Sequence, residues 1–200
     1  MTAKIDFYFD FSSPYGYLAA EQIEDLAARH GREVSWHPIL LGAVFPQTGG
    51  QPLLNVPLKG DYARRDMERS ARLLDLPFQL PATFPFMSVA ACRAFYWLQD
   101  QDPAKAVALA KALYREAFAQ GRAVDSAESV VAVARSLNLD GEKLTAALND
   151  PAVKERLRKA VDAAITKGVF GSPLIVVDGE PFWGHDRLAQ VDLWLQRGGW

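Results

Sequence analysis

Between Lys4 and Asp10 the chain alternates strictly, with Ile5, Phe7 and Phe9 separated by Asp6, Tyr8 and Asp10. Period-two alternation with aromatic and β-branched content predicts a β-strand with one face toward a core. From Pro14 the period lengthens: Leu18, Ile23 and Leu26 recur among Glu21, Glu24, Asp25 and Arg29, and the pattern closes at Gly31. That spacing predicts one helix ended by a left-handed glycine cap. Glu33–Leu40 (EVSWHPIL) then predicts a second strand, so the first forty residues form a βαβ unit.

The pattern changes after Leu41. Residues 41–60 carry several glycines and prolines and predict a long irregular loop, and no strand signal returns until after residue 170. Helices are predicted instead, over Asp61–Leu76 and Met87–Leu98, and from three N-cap signals: Asp102-Pro103, Asp125-Ser126 and Asp150-Pro151. The first of these presents Ala106, Leu109, Ala110, Leu113 and Ala117 on one face and stops at Gly121; the last ends at Gly168. Leu174–Val177 (LIVV), the turn Asp178-Gly179 and Pro181–Trp183 predict a hairpin, followed by a helix from Asp186 to Arg197. The order βαβ, helices, αββα is that of an α/β, thioredoxin-like fold with an all-α subdomain inserted between its halves. The expected division is 1–40 and 165–200 for the thioredoxin-like domain, and 41–164 for the connecting loop and helical insertion.

Composition narrows the chemistry. Twenty-two basic and 24 acidic residues in mixed order leave no basic block to track a phosphate backbone, so nucleic acid is not an expected partner. Met1-Thr2-Ala3-Lys4 leads into a strand with no long apolar run, and no stretch has the length of a membrane span, which predicts a cytoplasmic protein with no membrane partner. The single cysteine, Cys92, excludes an internal disulfide and any two-cysteine redox couple. Its apolar surroundings, SVAACRAFYWL, predict a small buried hydrophobe. His30, His37 and His185 stand far apart, without zinc or iron spacing, and no metal is expected.

What remains is the junction FYFDFSSPYGYLA, Phe7–Ala19, where strand one hands over to helix one at Ser12-Ser13-Pro14. Serine is a common N-cap and proline a common first helical residue, so the dipeptide alone signals a well-capped helix. The end of the chain adds to it. In Phe170-Gly171-Ser172-Pro173-Leu174 a proline directly precedes the returning strand, where thioredoxin-like folds carry a cis-proline facing the first helix. Trp183-Gly184-His185-Asp186-Arg187 leads into the last helix, and Asp186 is either its N-cap or an acceptor for a ligand's ammonium.

Together FYFDFSSPYGYLA, the loop TGGQPLLNVPLKGDY and VFGSPLIVVDGEPFWGHDRL resemble the 2-hydroxychromene-2-carboxylate isomerases, relatives of kappa-class glutathione transferases and of DsbA-like proteins. The resemblance covers nearly the whole chain. It implies glutathione as cofactor and a small aromatic substrate, isomerised from 2-hydroxychromene-2-carboxylate to trans-o-hydroxybenzylidenepyruvate by reversible thiolate addition. It also implies a homodimer. Ser13 matches the serine that replaces the redox cysteine and contacts the glutathione sulfur; Ser12 falls at a position that the family fills with apolar residues. Ser172, with Pro173, matches the backbone contact to glutathione, and Gly184, His185, Asp186 and Arg187 match the loop holding its γ-glutamyl end. Asn55, Lys59 and Phe84 match positions facing substrate. Kappa-class members carry asparagine where Gly50 aligns, a departure that counts against one alternative, a kappa-type transferase or peroxidase; the other alternative is a non-catalytic DsbA-like thiol- or peptide-binding protein.

Overall fold

A computed structural model describes residues 4–200; the leading Met1-Thr2-Ala3 lies outside the described residues. A four-stranded sheet forms from β1 (Ile5–Phe9), β2 (Val34–Pro38), β3 (Leu174–Val177) and β4 (Glu180–Trp183), in the order β2-β1-β3-β4. β1 runs parallel to β2 and antiparallel to β3, and β3 pairs antiparallel with β4. The hairpin turn has positive φ at both Asp178 and Gly179, the conformation that matches the twist of its strands. The alternation in β1 is realised: Ile5, Phe7 and Phe9 are fully buried in the main core, whereas Tyr8 joins a smaller cluster with Ile39, Val44, Ala164, Val169 and Leu174.

The helix expected from Pro14 to Gly31 is two helices, α1 (Pro14–Ala20) and α2 (Ile23–Arg29). At the break the Gln22 side-chain amide donates to the Leu18 carbonyl (2.8 Å) while its backbone N–H turns back to Ala19, so the regular i→i−4 ladder is displaced. The segment after β2 also departs from expectation, because α3 (Leu41–Thr48) forms with Pro46 inside it and Gly49 as a left-handed cap. Its first N–H is taken by the Asp10 carboxylate (2.7 Å), a partner that local sequence does not disclose. A short 3-10 turn, Leu53–Asn55, follows.

The remaining helices are α4 (Lys59–Leu73), α5 (Val89–Gln99), α6 (Pro103–Phe118), α7 (Ala127–Ser136), α8 (Gly141–Asn149), α9 (Pro151–Thr166) and α10 (Leu188–Arg197), the last preceded by a 3-10 turn at His185–Arg187. Asp102, Ser126 and Asp150 cap α6, α7 and α9 through side-chain bonds to free N–H groups, as the N-cap pattern predicts. α8 has no counterpart in the sequence reading: it opens on a glycine and buries only Gly141, Leu144, Ala147 and Leu148. One core cluster runs from β1 and α1 through α5, α6, α7 and α8, so the helices between β2 and β3 share the interior of the sheet. α9 crosses residue 164, where the division of the chain was expected.

Candidate active site

The site is built around the first turn of α1. Ser13 is its N-cap, 5% exposed, and its hydroxyl accepts the Gly16 N–H (3.0 Å). The same hydroxyl donates to the Ser172 carbonyl across the cleft, also at 3.0 Å. Ser12 is committed elsewhere, with both its N–H and its hydroxyl donating to Asp10 Oδ1 (2.8 and 2.9 Å). The two serines therefore do different work: one ties the turn to its own strand, the other reaches the opposite loop. α1 spans seven residues, about two turns of aligned dipoles. Stabilisation of an anion here thus rests chiefly on the Ser13 hydroxyl.

Asp10, 2% exposed, is the residue on which the turn is assembled. Besides Ser12 and the Leu41 N–H, its carboxylate accepts the Ser88 hydroxyl (2.6 Å), so four protein donors satisfy a buried charge. Its backbone N–H donates to Ser172 Oγ (2.8 Å) and its carbonyl accepts the Tyr114 hydroxyl (2.9 Å). Tyr114 comes from α6 and is wholly buried, which pushes its phenol well above its ordinary pKa and keeps it a donor. Gly16 exists because of this approach: a Cβ there would run into the Tyr114 hydroxyl. Sequence reading missed Asp10 and Tyr114; Asp10 was visible only as the polar end of an alternating strand, and Tyr114 sits in an apolar helix with no signal of its own.

The opposite loop is arranged as expected, with Ser172-Pro173 joined by a cis peptide bond directly before β3. Phe84-Pro85 is also cis, which the sequence reading did not anticipate. The loop Gly184–Arg187 closes the third side. His185 stacks on Tyr15 of α1 (centroids 5.1 Å, planes 13° apart), and the Tyr15 hydroxyl donates to Asp66 of α4 (2.8 Å), which also pairs with Arg69. Burial lowers the pKa of His185 against the pull of Asp186 and Asp66, so the ring is neutral at pH 7. Asp186 makes no capping bond to the 3-10 turn or to α10; its carboxylate is exposed and accepts from Arg187 (3.0 Å). The N-cap alternative for Asp186 is therefore not the arrangement observed.

These segments border one open cavity of about 1650 Å³. That is larger than the usual small-molecule pocket of about 300–1000 Å³ and has room for a peptide-sized cofactor beside a second ligand. Ser13, Ser172, Pro173, Gly184, His185, Asp186, Arg187, Lys59 and Phe84 all line it. Asn55 does not; it is exposed, while its neighbours Leu54 and Val56 face the cavity. α4 presents Lys59, Tyr62, Asp66 and Ser70 to it, a helical face of spacing three and four. Much of the remaining wall is apolar, with Phe45, Phe84, Phe86 and Met87, and with Phe170 packed edge-on against Trp183. Cys92 lies outside this lining, fully buried, with burial driving its thiol well above the ordinary range, as befits a core residue.

Residues 4–196 match the DSBA-like thioredoxin domain. A 2-hydroxychromene-2-carboxylate isomerase of Sphingobium xenophagum is 34% identical over 98% of this chain and 99% of its own. The chain belongs to that isomerase family. A solved structure of a 2-hydroxychromene-2-carboxylate isomerase superposes with a TM-score of 0.88 at 31% identity, covering 98% of this chain and 95% of the other. The family borders another, since glutathione S-transferase kappa 2 of Caenorhabditis elegans is 29% identical over 94% of this chain and 89% of its own. Among the described residues no helix is long and apolar enough to cross a membrane.

Proposed function

We propose that this isomerase acts on 2-hydroxychromene-2-carboxylate or a related aryl substrate with glutathione as cofactor, producing trans-o-hydroxybenzylidenepyruvate. The observation that carries the reading is the meeting of the Ser13 hydroxyl and the Ser172 carbonyl at 3.0 Å in the wall of a large, mostly apolar cavity. The donor set fits glutathione. A hydroxyl suits its sulfur, a backbone carbonyl its peptide N–H, and the exposed Asp186 carboxylate its ammonium. When bound, glutathione supplies a thiolate whose reversible addition to the alkene conjugated with the carbonyl of the ring-opened substrate allows rotation about that bond.

The chain's own residues do the rest. Ser13 holds the sulfur's charge by a hydrogen bond worth about 1.5–3 kcal/mol, and serine forms no mixed disulfide with it. Asp10, Gly16 and Tyr114 fix where that hydroxyl sits. Lys59 faces the carboxylate end of the substrate, and Phe84 with its aromatic neighbours takes the aryl ring. Asn55, exposed between the lining residues Leu54 and Val56, belongs to the same loop beside the substrate. Cytoplasmic residence and a homodimer belong to the same proposal.

The test is a substrate panel with glutathione: cis-arylidene pyruvates, chlorodinitrobenzene and a hydroperoxide. Isomerisation of the pyruvates with little turnover of the other two is expected; turnover of chlorodinitrobenzene alone would replace the isomerase by a kappa-type transferase. Light scattering checks the dimer separately.

A further inference from the structure

The Ser13 hydroxyl has one proton, and in the structure that proton is spent. Its lone pair accepts the Gly16 N–H at 3.0 Å, and its O–H points to the Ser172 carbonyl at 3.0 Å. A serine hydroxyl cannot donate to two acceptors at full strength, so a sulfur arriving at Ser13 competes with Ser172 for the same hydrogen. Rotation about the Cβ–Oγ bond moves only that hydrogen, and the capping bond from Gly16 survives it. What the rotation leaves behind is a part-buried carbonyl without its donor, and such a loss is costly unless another N–H arrives.

Resting on the glutathione reading above, we propose that the ligand's own cysteinyl amide releases the hydroxyl. Its N–H replaces Ser13 on the Ser172 carbonyl, the Ser13 O–H turns to the sulfur, and the thiol proton leaves to the buffer. Thiol ionisation is thereby coupled to backbone pairing. The site selects cysteinyl peptides at the step of activation, over and above whatever selection their two ends give in binding. Ser172 is held for this exchange from behind, because its own hydroxyl accepts the Asp10 N–H, so the carbonyl stays aimed into the cleft whichever donor it has.

The probe is a depsipeptide analogue of glutathione in which an ester oxygen replaces the cysteinyl N–H, leaving thiol, ammonium and both carboxylates unchanged. Ultraviolet absorbance of the bound thiolate, followed against pH at saturating ligand, gives each thiol's ionisation relative to the same ligand free in solution. Glutathione is expected to ionise about one pH unit or more lower when bound, a roughly tenfold rise in thiolate at fixed pH below its ordinary range. The analogue is expected to show less than half that shift, and in Ser13→Ala the two ligands are expected to behave alike. An analogue that ionises as readily as glutathione overturns the coupling and leaves the proposed function standing. An analogue that does not bind at all also overturns it, because selection would then lie in binding. Failure of glutathione itself to bind by calorimetry removes both readings.

Discussion

Two sets of residues in the cleft are built on opposite principles. In the polar set, Asp10, Ser13, Ser88, Tyr114 and Ser172 come from four separate stretches of chain and are locked by hydrogen bonds of 2.6–3.0 Å with little solvent exposure. In the apolar set Met87 is 74% exposed, Trp183 58% and Phe170 43%, and Phe170 meets Trp183 through a ring contact. Hydrogen bonds in a buried network fix positions to fractions of an ångström, whereas apolar contacts tolerate changes of shape. One set is therefore suited to hold a single reactive atom, and the other to accept aryl groups of varied outline.

The sharpest way to break this contrast is Ser13→Ala. Loss of a charge-assisted bond of about 1.5–3 kcal/mol should cut turnover roughly tenfold to 150-fold with the fold intact, measured as kcat beside a thermal melt. Gly16→Ala comes next: its Cβ forces the Tyr114 hydroxyl aside, and overpacking of this kind costs about 1–3 kcal/mol in denaturant unfolding. Adding Tyr114→Phe in the same chain should recover part of that loss; strict additivity of the two would show that the clash is not between them.

Asp186→Asn separates ligand from structure on the third side of the cleft. No capping bond depends on the carboxylate, so stability should hold while glutathione affinity falls about tenfold by calorimetry. Unchanged affinity would detach Asp186 from the cofactor. Acid provides a milder test. Burial lowers the pKa values of His37 and His185 from 6.5, so the unfolded chain takes up those protons first and stability falls as pH drops through about 6.5 and below. A melting temperature that rises over that interval would contradict the sign. Smallest of all, Met87→Ala in the exposed apolar set should leave stability within about 0.5 kcal/mol and alter only KM for aryl substrates.

What the sequence disclosed follows the same division. Strands β1 and β3, the capped helices α6, α7 and α9, and the Ser13 and Pro173 positions are signalled by local periodicity and by cap chemistry, which act over a few residues. Helix α3 was hidden because Pro46 and the nearby glycines read as breakers, while the Asp10 carboxylate that receives its first N–H lies 31 residues away. The break between α1 and α2 depends on where one glutamine side chain turns. Asp10 and Tyr114 organise the site through contacts at separations of 78 and 104 residues, for which a single sequence carries no mark. Asn55 marks the limit of a matching position, since it lies exposed between Leu54 and Val56, which line the cavity, and is not itself in the wall.

The central claim is that a thiolate held at Ser13 performs the isomerisation, and the most direct measurement is turnover of 2-hydroxychromene-2-carboxylate by protein freed of small thiols, before and after adding glutathione. Turnover should be negligible at first, appear saturably with glutathione, and be largely lost in Ser13→Ala. Full turnover without any thiol, or an undiminished rate in Ser13→Ala, would contradict it.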